Sequence, residues 1–130
     1  MGDQILLMID KWEKPIRYCL NRLGQRLWPP KYILAIIPLS SYRLRSAQLD
    51  NRTFIWWIER DIPPHDRNEC AAYRVQLQLD AQGVPVINIQ SGTDIYEVSP
   101  LTVENLEAHL INVAQDAPLI IPKMVKDIGS

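Results

Sequence analysis

The chain has 130 residues, 47% of them hydrophobic and 22% charged, with a formal net charge of -1, which fits one ordinary globular domain and excludes the strongly basic composition of dedicated nucleic-acid binders. The longest apolar run, Tyr32-Ile33-Leu34-Ala35-Ile36-Ile37, is far short of the roughly 20 residues a spanning helix needs, so no membrane span is expected. The start, Met1-Gly2-Asp3-Gln4, carries an acid where a secretory signal has bases, and a cytoplasmic location is expected.

Residues 3–28 place Ile5, Ile9, Trp12, Ile16, Cys19, Leu20, Leu23 and Leu27 at spacings of three and four, the period of an amphipathic helix. Pro15 lies inside this stretch and predicts a kink, or a short helix followed by a longer one, because it removes a backbone donor and crowds the preceding turn. The opposite face carries Lys11, Lys14, Arg17, Arg22 and Arg26, a pattern usual for a solvated face. Pro29-Pro30 end the helix. Tyr32 to Pro38, apolar and bounded by prolines, reads as a buried strand.

Two hairpins follow. In the first, Tyr42–Leu49 pairs with Thr53–Arg60 around Asp50-Asn51-Arg52, and that loop sets Arg43 opposite Glu59, Leu44 opposite Ile58 and Arg45 opposite Trp57, the last as a cation–π pair. In the second, Ala72–Asp80 pairs with Val84–Gln90. Tyr73, Val75, Leu77 and Leu79 then share a face with Pro85, Ile87 and Ile89, while Arg74, Gln76, Gln78, Asn88 and Gln90 share the other. Residues 61–70 between the hairpins read as a polar loop, Asp94–Val98 as a short edge strand, and the stretch from Ser99-Pro100 to Pro118 as a second helix with Ser99 as its cap. Residues 118–130 form an apolar, proline-bounded tail in which Leu119, Ile120 and Ile121 call for docking on the body. The fold class is α+β: one domain, 1–130, with an antiparallel sheet of four to six strands and both helices on one face.

The run Ile55-Trp56-Trp57-Ile58 gives each face of its strand a tryptophan, since successive side chains alternate. One core buries only one face, so the second tryptophan must be covered by another element, by a second copy of the chain or by a partner. On this reading Trp56→Ala destabilises the fold, whereas Trp57→Ala costs stability little and weakens association. Charge is also uneven: residues 1–52 hold nine Lys/Arg and four Asp/Glu, a net of +5, and residues 53–130 hold five and eleven, a net of -6. This asymmetry suits either attraction between the halves or a basic surface for an acidic partner.

Motifs for chemistry are absent. There is no G-x-S-x-G, phosphate-cradling glycine loop, C-x-x-C or H-E-x-x-H. His65, Asp66, Glu69 and Cys70 form the densest polar cluster, but they sit in one loop without the partner spacing a metal needs, and Cys70 with His65 has no orienting third group. We therefore expect no catalytic residue, no metal and no cofactor. Cys19 and Cys70 could form at most one bridge, and Cys19, on the apolar stripe of the helix, reads as a reduced, buried and inert thiol.

The expected function is non-catalytic protein binding, as an adaptor or assembly factor whose partner is another protein or a second copy. Tryptophan, tyrosine and arginine dominate interface energetics, so the candidate contacts are Tyr42, Arg43, Arg45, Ile55, Trp57 and Arg74 on the outer sheet face and Leu119, Ile120 and Ile121 on the tail. Two alternatives use the same parts: a single-stranded nucleic-acid binder on the basic sheet face, and a small-ligand site between sheet and helices. In the texture of Gln76-Leu77-Gln78-Leu79-Asp80 and the helix after Ser99, the chain resembles small accessory proteins of photosynthetic bacteria, including chaperones of carboxysome shell assembly. That resemblance implies an assembly role and transfers no functional residue.

Overall fold

Alternation of apolar and polar side chains over residues 43–97 is satisfied by an antiparallel meander, in the computed structural model, which describes residues 2–28, 32–33, 37–38, 42–61 and 68–123. Strands β3 (Arg43–Asp50), β4 (Thr53–Asp61), β5 (Glu69–Leu79), β6 (Pro85–Ser91) and β7 (Asp94–Glu97) lie in sequence order, and β8 (Leu119–Pro122) pairs with β5 to complete a six-stranded sheet. Helix α1 (Gly2–Leu27) and helix α2 (Val103–Val113) accompany the sheet, and the class is α+β. Two short strands, β1 (Tyr32–Ile33) and β2 (Ile37–Pro38), pair with each other. The buried strand expected over 32–38 is thus a small antiparallel ladder of its own and no part of the main sheet.

The registers read from loop length are present: Arg43 faces Glu59, Leu44 faces Ile58 and Arg45 faces Trp57 across β3 and β4. In the second hairpin Asp80 holds the turn, accepting from the backbone N–H of Gln82 and Val84 at 2.8 and 2.9 Å, and Gly83 supplies the positive φ of 79° that a side chain would resist.

The face of the sheet toward the helices holds the main core. Trp56, Ile58, Tyr73, Val75, Leu77, Ile87 and Ile89 pack there with Ile5, Trp12, Ile16, Leu20 and Leu23 of α1 and with Leu106, Leu110 and Val113 of α2. Helix α1 runs unbroken through Pro15, so the division into two helices does not occur. Trp12 and Ile16, buried on either side of the proline, fasten both halves to one sheet, and that packing outweighs the missing backbone bond. The indole N–H of Trp56 donates to Glu13 of α1 at 3.2 Å.

Helix α2 starts later than expected. Its cap is Thr102, whose hydroxyl accepts from the Asn105 backbone N–H at 3.1 Å, and Ser99 lies outside the helix. Asn105 also donates its side-chain amide to the Pro100 carbonyl at 2.7 Å, which fixes the incoming chain in a non-helical path. The apolar tail does meet the body: Leu119, Ile120 and Ile121 pair with Ala72, Ala71 and Cys70 of β5. Because β6 pairs with β5 over 74–79 and β8 over 69–72, the two flank the same edge of β5 end to end. Among the described residues, no helix is long and apolar enough to cross a membrane.

Candidate site on the outer sheet face

Cross-strand register assembles the outer face residue by residue. Trp57 on β4 lies between Arg45 of β3 and Arg74 of β5, and two residues along, Glu59 lies between Arg43 and Ala72. Ile55 and Trp57, each 1% exposed, form with buried Ala72 a second apolar cluster, against which Ala47 and Ile121 pack. Trp57 is therefore a floor and not an exposed contact. The cover it needs comes from the chain itself, through Ala47 of β3, Ala72 of β5 and Ile121 of β8, which removes the exposure on which the expectation of a small stability cost rested.

Glu59 is the electrostatic centre of this face, although sequence reasoning did not count it among the contacts. Its side chain is 2% exposed, and a carboxylate is kept in such a place only when several donors converge on it. Arg43 supplies Nη2 at 2.7 Å and Nε at 3.3 Å to one oxygen, and the Trp57 indole N–H donates to the other at 2.8 Å. Arg45 Nε stands 3.2 Å from the same oxygen as an ion pair, without the alignment of a hydrogen bond. Its guanidinium thus turns toward Glu59. Among the described residues the cation–π contacts are instead Arg60 over Trp28 and Arg22 over Tyr18. Arg43 also pairs with Asp61 at 2.9 Å, and Lys123 reaches Asp61 at 3.2 Å. Hydrogen bonding to Arg43 holds the Asp61 carboxyl below its usual value, with Lys123 adding to the effect.

Arg74 is the exception. Its Nε is buried without an acceptor, and it has no ion pair among the described residues. Burial lowers its pKa, and no neighbouring acid counters that effect. Beside it lies a cleft of about 130 Å³ lined by Ile55, Trp57, Arg74, Ile121 and Pro122. Among the described residues of this face, Arg43, Arg45 and Lys123 are ion-paired with Glu59 or Asp61, and Arg74 adds a further positive charge without an acidic partner.

Not all the sequence candidates meet here. Arg43, Arg45, Ile55, Trp57, Arg74 and Ile121 do, and Leu119, opposite Ala72, lies on the same face. Tyr42 does not. Its hydroxyl donates to the Asn21 carbonyl of α1 at 3.0 Å, and its ring lies so close to Gly24 that a Cβ there would stand 2.6 Å from it. Alternation from Arg43 directs Tyr42, like Leu44, to the helix side, where both pack on the main core. Ile120 also points away from the cleft and is half exposed.

The polar loop offers no rival centre in what is described. His65 and Asp66 lie outside the described residues, whereas Glu69 and Cys70 belong to β5. Both cysteines are free and buried. Desolvation pushes each thiol up to about 11, assisted by Glu107 at Cys19 and by Glu59 at Cys70, the opposite of what a nucleophilic thiol needs. His109 is tied through Nδ1 to the Asn105 carbonyl oxygen at 2.7 Å. Comparison with protein-family models, with curated proteins and with solved structures finds no match.

Proposed function

We propose that this protein is a non-catalytic binding module of the adaptor or assembly-factor type, which engages another protein through the outer face of its sheet. The observation that carries this reading is the pairing of an apolar cleft floored by Trp57 with Arg74, a half-buried arginine that has no counter-charge among the described residues. Only the Nε of Arg74 is buried; its terminal nitrogens stay accessible beside the apolar cleft, and a partner that brings a carboxylate to them adds a charge-assisted contact the free monomer lacks. Arg43, Arg74, Gln76 and Ile121 then form the contact rim, and Trp57 holds it in shape.

The same geometry disfavours the nucleic-acid alternative. Stacking of bases needs an exposed aromatic face, whereas Trp57 is 1% exposed; tracking a phosphate backbone needs several free cations, whereas Arg43 and Arg45 are committed to Glu59 and Arg74 is a single unpaired one. The test is affinity capture from native lysate with the wild type, with Gln76→Arg on the outer face and with Lys14→Glu on α1. Proteins retained by the wild type and by Lys14→Glu but lost with Gln76→Arg support the outer face. An identical set for all three, or saturable binding of single-stranded RNA at physiological salt, overturns the reading.

A further inference from the structure

The outer face tells what chemistry its partner presents. Every other cation near Trp57 has a carboxylate in reach: Arg43 at 2.7 Å, Arg45 at 3.2 Å and Lys123 at 3.2 Å. Arg74 alone among them has none within the described residues, and its Nε is shut off from water without an acceptor. Its two terminal nitrogens, which are not buried with Nε, offer a planar pair of N–H donors that fits a carboxylate edge to edge. Beside it, Ile55, Trp57, Ile121 and Pro122 line a space suited to methylenes.

We propose that the cleft beside Arg74 is an anchor point for a single acidic side chain, Glu or Asp, carried by a partner polypeptide, with the carboxylate on Arg74 and its aliphatic stem between Trp57 and Ile121. The inference deepens the protein-binding reading and rests on it. Size selects the occupant: about 130 Å³ accommodates one side chain and falls below the roughly 300–1,000 Å³ of sites that enclose a whole small molecule. Charge selects it too. Glu59 and Asp61 are already answered by Arg43, Arg45 and Lys123, so Arg74 brings one positive charge without an ion pair among the described residues, which one carboxylate balances. Among the described residues Arg74 makes no ion pair that would call for its charge. An arginine kept in this state is therefore held at some cost to the free fold.

The experiment uses the full chain and two blocked pentapeptides, acetyl-Ala-Ile-Glu-Ile-Ala-amide and its glutamine counterpart. Binding is followed by NMR at the Arg74 Nε–H and at the Trp57 indole N–H, the latter assigned with Trp57→Phe. The glutamate peptide is expected to shift both signals saturably and to bind at least about tenfold more tightly than the glutamine peptide, a ratio corresponding to about 1.4 kcal/mol. Arg74→Gln should abolish the difference between peptides, Arg74→Lys should reduce it, and Arg74→Met should melt no earlier than wild type. Equal binding of the two peptides, an undiminished preference in Arg74→Gln, or early melting of a charge-free variant overturns the proposal. Acetate or inorganic phosphate shifting Arg74 at the concentrations that suffice for the peptide would mark a small-anion site and also overturn it. If Arg74→Gln captures the same lysate proteins that Gln76→Arg loses, the binding face stands and the carboxylate anchor falls.

Discussion

Replacing Glu59 with glutamine is expected to destabilise the fold by about 2–4 kcal/mol, and the structure shows where that loss arises. The amide keeps the volume and one acceptor oxygen, so the indole of Trp57 retains a neutral partner in place of its 2.8 Å charge-assisted bond. Arg43 is only partly released, because Asp61 still holds it at 2.9 Å. The main penalty falls on Arg45, whose Nε is buried and whose ion pair with Glu59 at 3.2 Å is its charge compensation among the described residues. A charge left in so dry a position costs several kcal/mol, reduced here because the side chain remains 20% exposed and can reach water at its tip. Urea unfolding followed by tryptophan fluorescence measures the loss. The second arm is the double variant Glu59→Gln with Arg45→Met. Removing the stranded cation should restore about 1–2 kcal/mol, so the two changes are strongly non-additive. A single-variant loss below about 0.5 kcal/mol, or strict additivity in the cycle, would refute the assignment of Glu59 as the hub of the outer face.

Trp56→Ala and Trp57→Ala should both destabilise by about 3–5 kcal/mol in thermal or chemical unfolding, since both rings are buried and each donates its indole N–H to a glutamate; a loss below about 1 kcal/mol for Trp57 would contradict its role as a floor. Truncation after Ala117 removes β8 and uncovers Ala72 and Cys70, so the shortened chain should melt several degrees earlier and bind a hydrophobic dye, whereas an unchanged melt would show that the strand contributes no stability. Both thiols, pushed up to about 11 by desolvation, should react with a disulfide reagent at pH 8 about a hundredfold more slowly than in denaturant, given two decades less thiolate; fast labelling of either cysteine in the native protein would contradict the burial.

Most of the sheet was legible in the sequence because hairpin register depends on two local quantities, loop length and alternation. Asp50-Asn51-Arg52 and Ala81-Gln82-Gly83 fixed which residues face each other, and every pair derived from the first loop recurs in the structure. Alternation alone would also have put Tyr42 with the helices, since it is the neighbour of Arg43. What the sequence concealed is depth. Nothing in the letters Trp57 and Glu59 tells that side chains of β3, β5 and β8 close over this face, because β8 arrives from about sixty residues away. The same holds for the α2 cap: Ser99 and Thr102 are chemically equivalent caps, and the choice falls to Thr102 through Asn105, whose backbone N–H meets the threonine hydroxyl while its side chain pins Pro100. Pro15 misled for a related reason, since local propensity gives no account of the two buried residues that flank it.

The position of β8 also bears on the order in which this face comes into being. Arg74 and Trp57 sit on adjacent strands that follow one another in the chain, and the loop to be closed between them is far shorter than the one that brings β8 to β5. Ile121 and Pro122 join only after the chain has passed through β6, β7 and α2. One wall of the cleft is thus native as soon as the meander exists, and the opposite wall is the last part of the sheet to arrive. Its hold is four residues long, bounded by Pro118 and Pro122, neither of which can donate a backbone hydrogen bond. Without β8 the chain would present Arg74 on an open shelf, and the cleft needs both of its walls in place.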